Sequence, residues 1–145
     1  MLWFWAALGA SILWGISYAL SDYTLKNGMS ATAQLAFSGI VLTPVYTALA
    51  LQNGTLQQGF KTLKSNPKTI WFLLAVFACY CAANILTYWS IKQKNATLSS
   101  MIEISYPLFT ALFVYLFFRE NQLSMYSFAG GLLIMSGIAL IYYAK

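Results

Sequence analysis

Glu103 is the residue whose type and surroundings point most directly to chemistry. It stands in Met101-Ile102-Glu103-Ile104-Ser105-Tyr106-Pro107-Leu108-Phe109, with apolar sequence on both sides. Ser99 and Ser100 precede it by one helical turn and share its face, so either hydroxyl is placed to bond the carboxyl group. Pro107 follows by one turn. Its ring displaces the backbone bond to the carbonyl of residue i−4, which is Glu103 itself. One residue would then offer both an acid and a freed carbonyl, a pairing that suits a polar or cationic group, or its exchange for a proton. Tyr106 adjoins the expected kink. A second proline, Pro44, would free the carbonyl of Ile40 in the same way, with Tyr46 two residues on. Two helices interrupted near the bilayer midplane point to a polar cavity and to a transporter's binding site. Other polar side chains within the apolar runs, Ser11, Tyr18, Tyr80 and Tyr115, are candidates to line the cavity, and aromatic faces suit a cationic ligand. The competing reading is a protonated, hydrogen-bonded acid with a structural task.

These residues must be held by elements suited to lipid. The chain has 145 residues, 60% of them hydrophobic and 8% charged, with no histidine. A water-soluble domain carries about a quarter charged residues. The charges fall between long apolar runs, which we read as Leu2–Leu20, Ala31–Leu51, Thr69–Ile91, Thr97–Phe118 and Leu123–Tyr143. Each is long enough to cross about 30 Å of hydrocarbon as a helix. Alternation is absent, and backbone groups in lipid must be paired within their own segment, so the expected fold is all-α with five transmembrane helices. The connections Ser21–Ser30, Gln52–Lys68, Lys92–Ala96 and Arg119–Gln122 are short and leave no room for a soluble domain. Ser65-Asn66-Pro67 is a helix-start signal before the third span. The first run lacks a basic leading segment, so we expect a retained helix rather than a cleaved signal.

Charge and small residues add to this frame. Trp3, Trp5, Trp71, Tyr88, Trp89, Tyr142 and Tyr143 lie at run ends, where amphipathic rings anchor at the interface. Five spans place Lys61, Lys64, Lys68 and Arg119 on one side, and Lys26, Lys92, Lys94 and Lys145 on the other. Excess Lys and Arg in cytoplasmic loops normally sets orientation, and a tie removes that bias. The basic residues read as loop solvation, and nothing resembles a nucleic-acid surface. Ala7, Ser11, Gly15 and Ala19 recur every four residues, as do Ala75, Cys79, Ala83 and Thr87; Ser127 and Gly131 begin a third such series. Stripes of this kind let helices approach closely, which predicts a tight bundle. Cys79 and Cys81 have no metal-binding spacing and read as packing residues, so no metal and no cofactor are expected.

The segment "NATLSSMIEISYPLFTALFVYLFFRENQLSMYSFAGGLLIMSGIALIYY" resembles the end of an EamA domain of the drug/metabolite transporter superfamily. The likeness rests on a proline within the fourth helix at Pro107, a Phe-rich end, Glu120 in a tight turn, Leu123-Ser124, and Gly130, Gly131 and Gly137 in the last helix. "LWGISYALSDYTLK" is similar to the family's first-helix signature at Trp14-Gly15, which adds Trp14 to the candidate site. The resemblance implies one five-helix repeat over residues 1–145, a single EamA-like domain. Typical members carry two such repeats, inserted in opposite directions around a central cavity, and move solutes by alternating access. The expected repair for a lone repeat is an inverted second copy, or a related half-size partner, and balanced loop charges suit an antiparallel homodimer. Glu120 matches the family's turn glutamate and is expected to pair with Arg119 or to cap the last helix. Asp22 and Lys26 are spaced for an i,i+4 ion pair.

The expectation is a transporter subunit of the inner (plasma) membrane, in contact with lipid and a small-molecule solute. Glu103, Tyr106, Ser99, Ser100, Tyr46 and Trp14 would bind the solute, beside the kinks at Pro44 and Pro107. The alternative is an accessory or scaffold protein that acts only with another subunit. An intramembrane enzyme finds no support, for want of histidine, a metal-ligand cluster or a paired nucleophile and base. A small multidrug-type exporter would carry its acid in the first helix, where this chain has Ser11 and Gly15.

Overall fold

The computed structural model describes residues 2–121 and 124–143. Gln122, Leu123 and Lys145, which entered the turn, motif and charge readings above, lie outside the described residues. Among the described residues there are seven helices and no strand. Five helical segments are long and apolar enough to cross a membrane: Leu2–Lys26, Ala31–Gln52, Pro67–Gln93, Ala96–Phe118 and Met125–Tyr143. The chain is a multi-pass, all-α membrane protein. It divides into two compact units, Met1–Asp22 with Gln93–Lys145, and Tyr23–Lys92.

The first unit holds most of α1 (Leu2–Lys26), then α5 (Ala96–Glu103), α6 (Tyr106–Phe118) and α7 (Met125–Tyr143). Asn95 starts α5 by accepting a bond from the Leu98 N–H at 2.8 Å. The fourth span was expected as one kinked helix over Thr97–Phe118, and here the structure corrects the sequence. α5 stops at Glu103, and Ile104 and Ser105 form a tight turn before α6. In that turn the Ser105 N–H donates to the Ile102 carbonyl at 3.1 Å, and the Leu108 N–H to the Ser105 carbonyl at 3.0 Å. Pro107 therefore sits in the first turn of a new helix. No intrahelical partner is asked of its nitrogen there, so its missing N–H is tolerated.

α6 ends at Arg119, whose φ of 60° lies in the left-handed region. Its guanidinium stands 5.9 Å from the centre of the Tyr115 ring rather than on Glu120, which is exposed. α7 is capped by Ser124, whose hydroxyl accepts from the Ser127 N–H at 3.1 Å. Both tasks expected of Glu120 are thus filled by other groups. Gly131 is buried where α7 meets α6, and a Cβ built on it would overlap the Leu108 side chain.

The second unit begins with the last residues of α1 and continues through α2 (Ala31–Gln52), α3 (Thr55–Ser65) and α4 (Pro67–Gln93). α1 runs six residues beyond the expected Leu20 and carries both Asp22 and Lys26. It ends in a left-handed turn at Gly28, φ 98°, closed by the Met29 N–H on the Thr24 carbonyl at 3.1 Å. A residue without Cβ belongs at such a terminus. Ser30 then caps α2 by accepting from the Ala33 N–H at 3.1 Å.

Two further corrections concern this unit. α2 passes through Pro44 as one helix of 22 residues, so the expected break does not occur. A proline within a span is tolerated when neighbouring groups take over the affected backbone bonds. The Gln52–Lys68 connection is largely helical: α3 fills it, flanked by Asn53–Gly54 and by Asn66. Pro67 opens α4, as the Ser-Asn-Pro signal indicated.

Of the small-residue stripes, the one on α7 packs at Gly131 against Leu108, while those on α1 and α4 are largely exposed. Ala7, Ser11, Gly15 and Ala19 are exposed, as are Ala75, Cys79 and Ala83. Ser11 turns its hydroxyl to the Ala7 carbonyl of its own helix, 3.0 Å away. A stripe permits close approach but does not name the helix that approaches. Among the described residues the buried hydrophobic side chains are Leu25, Tyr88, Ile91 and Ala96.

Candidate solute site

Glu103 ends α5 because the chain turns immediately after it, at Ile104 and Ser105. Its carboxyl group is half-buried. The Tyr18 hydroxyl, from α1, donates to Glu103 Oε2 at 2.6 Å. That length falls in the range for a hydroxyl on a carboxylate oxygen. The bond joins residues 85 positions apart and ties the first span to the fourth. One turn before Tyr18 on α1, Trp14 presents its ring 5.7 Å from the Tyr18 ring, tilted by 42°. Trp14 is about half exposed.

The expected site residues divide as follows. Ser99, one turn before Glu103 on α5, is buried. Ser100 turns away from the acid and donates to the Thr97 carbonyl at 3.0 Å. Tyr106 opens α6 with an exposed ring. Glu103, Ser99, Trp14 and Tyr106 all belong to the first unit; Tyr46 and Pro44 lie on α2 in the second, with the Tyr46 ring exposed. The chief residue that sequence reasoning left outside the site is Tyr18. It was one of several tyrosines in apolar runs, and nothing in its spacing distinguished it from Tyr80 or Tyr115.

The cavities of each unit are mostly apolar. In the first, a groove of about 410 Å³ runs between α6 and α7, lined by Leu108, Leu112, Tyr115, Phe128, Gly131 and Leu132. In the second, a groove of about 390 Å³ is lined by Thr24, Met29, Gln34, Phe37, Ser38 and Val41. Glu103 lines neither. The second groove contains a polar cluster that the sequence did not flag. Thr24 Oγ1 donates to Gln34 Oε1 at 2.8 Å, and Ser38 Oγ donates to the Gln34 carbonyl at 2.9 Å.

The chemistry available at Glu103 follows from its donors and its place. An acid within a lipid-crossing segment is costly, about 3 kcal/mol on insertion scales, and such residues mark solute paths or proton relays. A hydroxyl held on one oxygen offsets part of that cost. Two aromatic rings on α1, one of them bonded to the acid, add π-faces of the kind that attract cations.

Comparison with known proteins agrees with the likeness read from the sequence. The model of the EamA-like transporter family matches residues 1–143. A search of curated proteins and of solved structures finds no match.

Proposed function

The chain belongs to the EamA-like transporter family, and from that premise we propose that it is a plasma-membrane subunit moving a small polar or cationic solute by alternating access. The observation that supports this reading is the Tyr18–Glu103 hydrogen bond, which gives an acid in a segment long and apolar enough to cross a membrane a fixed partner. In the empty state the Tyr18 hydroxyl holds the carboxylate and replaces part of its lost hydration. A cationic group on the solute binds the carboxylate, with the Trp14 and Tyr18 rings beside it. On the opposite side of the membrane a proton takes the solute's place, and the carboxyl group returns neutral. Uptake of the proton and release of the cation balance the charge at the site.

We further propose that the working unit is an inverted pair of this chain. The support is threefold. Lys and Arg are divided evenly between the two sides, four on each. Small-residue faces on α1 and α4 are exposed. Few apolar side chains are buried within one copy. Each copy would contribute its own Glu103 to a shared cavity, and rocking of one against the other would open that cavity to alternate sides.

The deciding experiment is transport by the purified chain, reconstituted alone, with Glu103→Gln as the comparison. Glutamine keeps a carbonyl oxygen for the Tyr18 hydroxyl but can neither carry charge nor exchange a proton. Folding should persist while flux falls by at least about tenfold, and the residual flux should no longer depend on pH. Unaltered flux with an unaltered pH profile would refute the role of the acid. If the chain moves nothing alone and gains transport only beside a related subunit, the inverted homodimer is wrong.

A further inference from the structure

α3 stands apart from the spans in both composition and placement. Leu56, Phe60 and Leu63 recur at i, i+4 and i+7 and make one apolar face. Gln58, Lys61 and Ser65 lie on the side away from it, and Gln57 and Lys64 flank it. Lys68 follows in the first turn of α4. The sequence has no carboxylate between Asp22 and Glu103, so these lysines have no acidic neighbour along the whole of α2, α3 and α4. Phe60 is 65% exposed, Lys61 and Lys64 are exposed, Leu56 and Leu63 are half-buried, and Trp71 at the start of α4 is 74% exposed.

The joins settle where such a helix can lie. Only Asn53 and Gly54 separate α3 from α2, and only Asn66 separates it from α4. The first join is tight: Gly54 has φ 67°, and the Thr55 hydroxyl donates back to the Ala50 carbonyl at 3.3 Å. A residue extends the chain by at most about 3.5 Å, so the start of α3 can stand no more than about 11 Å from the end of α2, and its end no more than about 7 Å from the start of α4. Both of those spans meet the membrane surface at these ends.

We propose that α3 is an interfacial anchor that binds the anionic surface of a lipid bilayer. Phe60, with Leu56 and Leu63, enters the boundary of the acyl chains, and Lys61, Lys64 and Lys68 hold anionic headgroups. Hydrophobic insertion and lysine attraction act together in such helices, and the attraction is confined to within a Debye length of the surface. The proposal does not depend on what the protein transports. In an inverted pair it puts one α3 on each leaflet.

The test uses the full chain with Cys79→Ser and Cys81→Ser, and a single label at Phe60→Cys or, as the control, at Gln57→Cys. The labelled proteins are reconstituted in vesicles of phosphatidylcholine alone or mixed with phosphatidylglycerol. A neutral aqueous quencher, acrylamide, and a lipid spin-labelled near the headgroup report the two environments. The label at position 60 should be severalfold less open to acrylamide than that at 57, and should be quenched by the spin-labelled lipid. Anionic lipid should deepen this difference, and Lys61→Gln, Lys64→Gln and Lys68→Gln together should remove the effect of anionic lipid. Equal acrylamide access at 57 and 60 would overturn the proposal. So would protection at 60 without quenching by lipid, because protein rather than lipid would then cover the face. Indifference to phosphatidylglycerol would refute the headgroup contact.

Discussion

At the scale of single residues, the Tyr18–Glu103 pair is the feature on which the proposed function turns. Tyr18→Phe keeps the ring beside Trp14 and removes only the donor. The loss of one hydrogen bond to an acid is expected to cost about 1–3 kcal/mol of stability. Thermal unfolding in detergent should show it as a lower midpoint, and transport should fall while its dependence on pH persists, since the acid remains. That outcome would separate the positioning role proposed for Tyr18 from the exchange proposed at Glu103. Glu103 was legible in the sequence because a carboxylate in an apolar run is conspicuous by its cost. Tyr18 was not, because a tyrosine in lipid is unremarkable and its partner lies 85 residues away. Ser100 misled for a local reason: a serine in a helix can satisfy itself on the carbonyl of the preceding turn, as it does at Thr97.

At the scale of elements, the two prolines have opposite settings and should respond oppositely to replacement. Pro44 lies in the interior of α2, where it withholds a backbone bond from Ile40. Pro44→Ala supplies the missing N–H and should stabilise the protein by up to about 3 kcal/mol. Pro107 lies in the first turn of α6, where no such bond is lost. Pro107→Ala should leave stability within about 0.5 kcal/mol. Melting curves of the two variants, run beside the parent, check both. The sequence disclosed that prolines interrupt two spans' patterns but not what each would do. A proline near a span's start can divide it, and one deep inside can be absorbed by its neighbours. Span positions were otherwise readable, since length and apolarity alone define them. α3 escaped notice because its eleven residues are too few and too polar to look like a span.

At the scale of the whole molecule, orientation is the quantity to measure. The tie of basic residues means that small changes should decide it. Lys92→Gln with Lys94→Gln leaves the excess on the side of Lys61, Lys64, Lys68 and Arg119. Lys61→Gln with Lys64→Gln shifts it to the opposite side. Reporters fused to each terminus should find the parent on both faces and each double variant on one. If the working unit is an inverted pair, each variant expressed alone should lose transport, and the two expressed together should recover it. Recovery by neither, or activity of either alone, would count against the pair.

The sparse interior has a consequence of its own. Among the described residues Leu25, Tyr88, Ile91 and Ala96 are the buried apolar side chains, so in the proposed pair the partner would supply much of the cohesion. The persistence of one copy is then a matter of mass action, set by how much lipid and how many neighbours surround it. A solitary copy, newly released from the insertion machinery, stands at its most vulnerable moment, and proteolysis and assembly compete for it there.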